Sequence, residues 1–290
     1  MRLATLAWPV EPVADVAAYA AKLDRWLDEA REGGAELLLM PEYACVELGA
    51  ALAGTCADDA AELRAMVLHA EDVLAAMRRA ARRHGIWLCP GSLPMAVGGR
   101  VANRAPLIRP DGFLAFQDKR MMTRFETERW GVTPGAPPQV FETPWGLIGI
   151  AICYDSEFPK LVRAQVEAGA WLILTPSCTD TLHGCQRVRI GARARAMENQ
   201  CFMAVAPTVG GFATSAALDE NHGWAGVYGP VDRGFQDDGI VAEGELDVAG
   251  LVYADIEAGM LDAVRRDGAV LNHRDWPRAP VPRPEAAAWA

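Results

Sequence analysis

The chain has 290 residues, 51% of them hydrophobic, which is enough to bury one large core or two small ones. Its net charge of −10 argues against a nucleic-acid partner, and no apolar run approaches the ~20 residues of a membrane-spanning helix. Seven scattered cysteines without CxxC pairing indicate free thiols in a reducing compartment, so we expect a cytoplasmic protein with no membrane partner.

Strands and helices alternate in the first part of the chain. Apolar spacing predicts the helices, glycines follow them as C-caps, and short apolar runs predict the strands. The predicted elements are a strand 3–8, a helix 13–31, a strand 36–40, a helix 60–83, a strand 86–89 and a hairpin of strands 101–108 and 113–117.

A long polar loop follows from 118 to 138. Charged loops of this length in a compact domain are usually functional or disordered. Met121, Met122, Phe125 and Trp130 argue against disorder, because disordered segments are poor in large apolar residues. We therefore interpret the loop as part of a functional site.

The second part of the chain continues the alternation after a hairpin over 140–146. The predicted elements are a strand running to 153, a helix 157–168, a strand 171–175, a helix 187–199, a strand 201–206, short strands near 224–228 and 240–246, a strand 251–256 and a helix 257–267. We expect one layered α/β domain over 1–275. The proline-rich tail 276–290 should form neither a helix nor a central strand and should lie extended on a surface, at a subunit interface.

The stretch 146–159, GLIGIAICYDSEFP, is the most informative part of the chain. Its apolar run is typical of a strand buried on both faces, and it ends abruptly at Cys153. Asp155 and Ser156 are favourable N-caps, so Cys153 is expected at a strand-to-helix elbow. A helix N-terminus there would lower the thiol pKa and stabilise an oxyanion. From this stretch alone a buried structural cysteine is an equal alternative.

Two further strand ends carry ionisable side chains. Glu42 follows the apolar run 37–41, and Lys119 follows the strand 113–117. Partial desolvation would raise the pKa of the Glu42 carboxyl toward that of a general base. Taken singly, each could equally be a solvated surface residue.

Together the three motifs resemble the nitrilase superfamily of carbon–nitrogen hydrolases. The motifs are Pro-Glu-Tyr at 41–43, Asp-Lys at 118–119 with Arg-Phe-Glu at 124–126, and the stretch 152–159. The resemblance extends to the segments 193–200 and 229–234 and to the strand 253–257, so it covers almost the whole chain. It implies an α/β fold, a four-layer αββα sandwich with two six-stranded sheets.

The resemblance also implies a Glu–Lys–Cys catalytic set of Glu42, Lys119 and Cys153, with Glu126 as a second glutamate. Glu128 competes for that last role, but Glu126 stands seven residues after the lysine, a spacing similar to the family's. The set needs no metal or organic cofactor. We expect a hydrolase that converts a small amide to carboxylate and ammonia or amine through a cysteine thioester. Such proteins often form homodimers or higher homo-oligomers through the C-terminal region.

The substrate is less defined. Tyr154 follows the cysteine where nitrilases proper usually have Trp, so the chain resembles the amidase branch more. Family members that bind a substrate carboxylate often place Arg three or four residues after the cysteine, where this chain has Ser and Glu157. Glu157 either attracts a cationic group or only stabilises the first turn of the following helix. The other candidate substrate-binding residues are Tyr43, Tyr154, Trp130 and Thr179.

Two other functions stay open from the sequence. One is a nitrilase acting on a small nitrile. The other is a non-catalytic interaction protein that keeps the hydrolase fold, which the presence of all three candidate catalytic residues disfavours.

Overall fold

The computed structural model describes residues 1–54 and 58–279, and the predicted order of elements holds along them. A 3₁₀ turn covers Ala44–Leu48. The other elements of the first part are β1 (Arg2–Val10), α1 (Val16–Glu32), β2 (Leu37–Leu39), α2 (Gly49–Ala53), α3 (Asp59–His84), β3 (Trp87–Cys89), β4 (Leu93–Val97), β5 (Arg100–Ile108) and β6 (Leu114–Asp118).

The second part contains a further 3₁₀ turn at Cys153–Glu157 and a last one at Trp276–Arg278. Its other elements are α4 (Arg124–Glu128), β7 (Val140–Thr143), β8 (Gly146–Ile150), α5 (Pro159–Glu167), β9 (Leu172–Ser177), α6 (Leu182–Asn199), β10 (Phe202–Gly210), β11 (Gly226–Tyr228), β12 (Ile240–Glu243), β13 (Gly250–Asp255), α7 (Ala258–Asp267) and α8 (Asn272–Asp275).

The first sheet contains β1 to β6 and β13. β2 and β3 continue the sheet in parallel from β1, and β13 pairs antiparallel with the other edge of β1. β5 pairs with β6 along one edge, and with β3 and β4 in succession along the other. Because β3 and β4 occupy the same edge of β5 in succession, the seven strands fill six positions across the sheet in the described residues. The resemblance had implied a six-stranded sheet.

The second sheet contains β7 to β12. β8, β9 and β10 run parallel, and β7, β11 and β12 extend the sheet with antiparallel pairs. The end of β1 also pairs with the end of β10 over Trp8–Val10 and Thr208–Gly210. This joint links the two sheets, so the ends of their central strands lie next to each other.

The core residues show the order of the layers. In β2, Leu38 packs with α1 and α3 in one core, whereas Leu37 and Leu39 face the other sheet. This alternation is the two-residue period of a strand covered on both faces. Residues of α5 and α6 belong to the core of the second sheet. The layers therefore follow the predicted order α–β–β–α.

Several local predictions were wrong. The sequence did not predict β4, α8 or the short turns between 44 and 53. At the start of the predicted tail, Trp276–Arg278 form a 3₁₀ turn, because Pro277 lies in the first turn of that helix, where a missing N–H costs nothing. The rest of the tail, 280–290, lies outside the described residues. No described helix is long and apolar enough to cross a membrane.

Candidate active site

Three strand ends meet where the two sheets join. Glu42 follows β2 and forms a parallel bridge with Ser92. Lys119 follows β6, and its backbone N–H donates to the Asn103 carbonyl of β5 at 2.9 Å. Cys153 follows β8 of the second sheet. The structure thus brings together the three residues that were far apart in the sequence.

Lys119 lies between two carboxylates. Its Nζ donates to Oε1 of Glu42 at 2.8 Å and to Oε2 of Glu126 at 2.7 Å. All three side chains are at most 3% exposed. Glu128 instead pairs with Arg124 on the surface, so the second glutamate beside the lysine is Glu126.

The short helix α4 fixes the position of Glu126. Thr123 caps this helix and accepts a hydrogen bond from the Glu126 backbone N–H, while Oε2 of Glu126 accepts from the Thr123 backbone N–H. This reciprocal arrangement is a capping box. The polar loop predicted to be functional therefore contains a helix that aims its third residue at the lysine.

Two further side chains complete the network. Asn103 donates from Nδ2 to Oε1 of Glu42 at 2.8 Å and to Oε1 of Glu126 at 3.1 Å. The Tyr43 hydroxyl donates to Oε1 of Glu126 at 2.9 Å. Asn103 was not predicted. It stands beside Arg104 in β5, so no local pattern distinguished its amide from an exposed polar side chain.

Cys153 begins the 3₁₀ turn with a left-handed backbone, φ 47°. This conformation is uncommon for a residue with a side chain and is often found at functional sites. The Cys153 thiol donates to the carbonyl of Cys178, with a sulfur–oxygen distance of 3.6 Å. The Cys178 backbone N–H in turn donates to Oε2 of Glu42 at 3.2 Å. The segment after β9 therefore connects the thiol to the carboxylate.

The predicted N-caps were wrong. α5 begins at Pro159, with Phe158 as its N-cap, because the 3₁₀ turn separates Cys153 from the helix. Asp155 instead accepts hydrogen bonds from the backbone N–H groups of Arg120 and Met121, and the Ser156 hydroxyl donates to the Cys153 carbonyl. Burial raises the pKa of Asp155 to about 6, although these N–H groups lower it. Asp155 thus holds the segment that follows Lys119.

The pKa of the Cys153 thiol is also not as predicted. Burial raises this pKa well above its usual value, the negative charge of Glu42 raises it further, and the positive charge of Lys119 only partly offsets them. Burial likewise raises the pKa of Glu42, which Lys119 lowers in part. The free site therefore favours a neutral thiol beside a carboxylate that can accept a proton.

The charge of the lysine is maintained. Burial alone would lower the pKa of Lys119, but Glu126 and Glu42 raise it well above the usual value. For Glu126, burial raises the pKa of the carboxyl, but Lys119 and the hydrogen bonds to its oxygens lower it overall. The arrangement pairs a fixed cation with one carboxylate that stays ionised and one that can exchange protons.

A pocket of about 590 Å³ opens over this network. Glu42, Lys119, Glu126 and Cys178 lie in its wall, together with the predicted residues Tyr43, Tyr154, Trp130 and Glu157. Pockets of this size accommodate small organic molecules. Thr179 is not part of the described pocket wall; its hydroxyl donates to the His222 carbonyl at 2.7 Å.

Glu157 lies on the pocket wall and before the first turn of α5, not in it. Its carboxylate forms an ion pair with Arg187 of α6 at 3.4 Å. The alternative in which Glu157 only stabilises the first turn of α5 is therefore not supported by its position.

The far wall of the pocket was not predicted. It is formed by the segment 216–221, which follows β10. Glu62 of α3 holds this segment: its carboxylate accepts from the Ser215 hydroxyl at 3.0 Å and from the backbone N–H groups of Ala216 and Ala217 at 2.8 and 3.2 Å. Glu62 is completely buried. No local sequence pattern connects residues more than 150 positions apart.

A family profile and several known proteins are similar to this chain. The profile described as carbon-nitrogen hydrolase matches residues 2–266. The chain is 29% identical to the probable hydrolase YhcX of Bacillus subtilis (strain 168), over 95% of this chain and 53% of that protein. It therefore spans about half the length of this relative. It is also 27% identical to an omega-amidase of Danio rerio, over 67% of this chain and 69% of that protein.

Solved structures give a similar result. An amidase from Nesterenkonia sp. AN1 superposes with a TM-score of 0.69 and 26% identity, covering 95% of this chain and 99% of that one. Nit3 of Saccharomyces cerevisiae, a member of the nitrilase superfamily, superposes with a TM-score of 0.74 over 94% of this chain and 96% of that one. At 19% identity, Nit3 supports the fold alone.

Proposed function

Because the chain belongs to the carbon-nitrogen hydrolase family, we propose that it hydrolyses a small amide to a carboxylate and ammonia or an amine through a cysteine thioester. The observation that carries this proposal is the buried network of Glu42, Lys119 and Glu126, which lies in the wall of a pocket. The Cys153 thiol lies beside it, in contact with the wall residue Cys178. The network supplies a nucleophile, a base and a cation within one site.

Acylation begins with proton transfer from the Cys153 thiol to the Glu42 carboxylate. The raised pKa of Glu42 suits this exchange, because a base works best when its pKa lies near the working pH. The sulfur attacks the amide carbon and gives a tetrahedral intermediate. Glu42 then protonates the nitrogen, the carbon–nitrogen bond breaks, and ammonia or an amine leaves behind a thioester.

Deacylation uses the same carboxylate. Glu42 takes a proton from water, and the hydroxide attacks the thioester carbon. The carbon–sulfur bond then breaks, and Glu42 returns the proton to the Cys153 sulfur. Lys119 and the backbone N–H near Tyr154 stabilise the negative oxygen in both intermediates. Glu126 keeps Lys119 charged and in place, which the 2.7 Å contact between them supports.

The relatives support an amide as the substrate. One mutant of the amidase of Nesterenkonia sp. AN1 shows the Michael addition of acrylamide at its active-site cysteine, and another mutant is known in complex with butyramide. The relative in Danio rerio is an omega-amidase, and one in Yersinia enterocolitica is a deaminated glutathione amidase. We infer that this chain acts on the same chemical group.

The test is ammonia release from short amides, ω-amides, carbamoyl compounds and nitriles, with the protein, Cys153→Ala and a control variant Cys185→Ala. Cys185 lies on α6 outside the pocket wall. We expect release from amides by the protein and by the control, and none by Cys153→Ala. Release from nitriles alone would instead show a nitrilase. No release from any compound, with Cys153 unreactive toward iodoacetamide, would favour a non-catalytic interaction protein.

We further propose a cytoplasmic homodimer or higher homo-oligomer. The six cysteines that the structure describes are free, as in a reducing compartment. Light scattering tests the oligomer, with a monomeric mass as the contradicting result. Cell fractionation of the tagged protein tests the compartment.

A further inference from the structure

The charges around the pocket mouth are unequal. Outside the Glu42–Lys119–Glu126 network, the described wall contains four carboxylates and two guanidinium groups. The acidic residues are Glu157, Asp180, Asp219 and Glu220, and the basic ones are Arg124 and Arg187. The balance at the mouth is therefore negative before any ligand enters.

Both basic side chains are already engaged. Arg124 forms a bidentate pair with Glu128 at 2.7 and 3.0 Å. Arg187 pairs with Glu157 at 3.4 Å. Deeper in the pocket, Lys119 is held by two carboxylates. A ligand carboxylate would thus find no cation in the described wall that lacks an acidic partner.

Two of the acidic residues, Asp180 and Asp219, are more available, whereas Glu157 pairs with Arg187 and Glu220 with His222. Asp180 is exposed, and no described cation pairs with it. Asp219 is also exposed, and its carboxylate accepts only from the neighbouring Glu220 backbone N–H in the described residues. Several aromatic side chains lie in the same wall, among them Phe125, Trp130 and Tyr154. A cation that lay over one of these rings would be attracted by its face, in addition to the carboxylates.

We infer that the substrate is a small amide that carries a positively charged group, such as a primary ammonium, away from the bond that breaks. This inference rests on the proposed function. The amide would lie at the Cys153 thiol, and the ammonium would lie toward Asp180 and Glu157 at the mouth. A carboxylate in the same place would meet like charges, which selects against anionic amides.

Three amides of nearly equal length test the inference. They are 4-aminobutanamide, which is cationic, pentanamide, which is neutral, and succinamate, which is anionic. We expect kcat/KM by ammonia release to be about tenfold higher for the cationic than for the neutral amide, and lower again for the anionic one. The ratio of cationic to neutral should fall at high salt, because salt screens exposed charges.

Single charge removals locate the effect. Asp180→Asn and Glu157→Gln should each lower the ratio of cationic to neutral kcat/KM several-fold. Glu71→Gln, an exposed position on α3 outside the pocket wall, removes the same charge and should leave the ratio unchanged. A preference for pentanamide or succinamate would overturn the inference while leaving the proposed function intact. No hydrolysis of any of the three amides, with the wider panel also negative, would overturn both.

Discussion

Asn103 donates a hydrogen bond from Nδ2 to Oε1 of Glu42 at 2.8 Å, and neither residue is exposed by more than 1%. The same Nδ2 group also reaches Glu126. A single neutral amide therefore supplies one hydrogen to each of two buried carboxylates that share one lysine. The amide oxygen Oδ1 has no hydrogen-bond partner in the described residues, so only the two carboxylates hold this side chain by hydrogen bonds.

We predict that Asn103→Ala lowers kcat by about 10- to 100-fold, because each buried carboxylate loses a hydrogen bond worth ~1.5–3 kcal/mol. Asn103→Asp should shift the acid limb of the kcat/KM pH profile upward, since a neighbouring negative charge raises the pKa of Glu42. Stopped-time ammonia assays across pH measure both effects. The surface variant Asn272→Ala is the control. An unchanged pH profile in Asn103→Asp would contradict the assigned position.

Lys119→Met should lower kcat by about 10²- to 10³-fold, because the variant loses a donor to the developing oxyanion. The variant also leaves two buried carboxylates without their cation, so its fold must be checked by circular dichroism. Lys160→Met, at an exposed position of α5, is the matched control. If only KM rose, Lys119 would serve to bind substrate, not to stabilise the transition state.

The sequence predicted which residues would lie together at the candidate site, but not the segments around them. Glu42 and Cys153 follow buried apolar runs, which are readable because a strand covered on both faces has no polar alternation. Lys119 follows β6, which is only partly buried. Most strands followed from apolar runs, whereas the layer order was implied by the resemblance to the nitrilase superfamily. The predicted direction of the Cys153 pKa shift was wrong, because the sequence does not reveal how deeply the thiol is buried or that Glu42 lies beside it.

What the sequence could not predict depends on contacts between distant segments. Asn103 and Glu62 act on residues that no local period connects to them. The N-caps predicted at Asp155 and Ser156 failed because tertiary hydrogen bonds compete with capping: the Asp155 carboxylate accepts from Met121, which lies 34 positions earlier.

Glu62→Ala should release the segment 216–221 that forms the far wall of the pocket. The variant loses three hydrogen bonds that hold this segment. We expect KM to rise about tenfold with a smaller change in kcat, because Glu62 holds the pocket wall and not the catalytic side chains. Glu62→Gln keeps one carbonyl oxygen as an acceptor and should be intermediate. Glu71→Ala, on the same helix but exposed, is the control. A fall in kcat with unchanged KM would show that Glu62 acts on the chemistry.

Asp155 makes stability depend on pH. Burial raises its pKa from 3.8 to about 6, so the folded protein holds a proton that the unfolded chain releases at lower pH. The free energy of unfolding therefore falls as pH rises between these two values and is constant above them. Over one pH unit, from 5 to 6, the loss from this group is about 1 kcal/mol, because the folded carboxyl is already half ionised at pH 6.

Asp155→Asn removes this titration, because an amide stays neutral. We expect the stability of the variant relative to the native protein to increase by about 1.4 kcal/mol between pH 5 and 7.5, whatever its absolute value at either pH. Urea unfolding at both pH values measures this difference, and Asp237→Asn, at an exposed position, should show no such change. A relative stability of Asp155→Asn that falls as pH rises would mean that the hydrogen bonds from Arg120 and Met121 outweigh burial. Asp155 would then stay ionised at all of these pH values and hold the segment that follows Lys119 by hydrogen bonds.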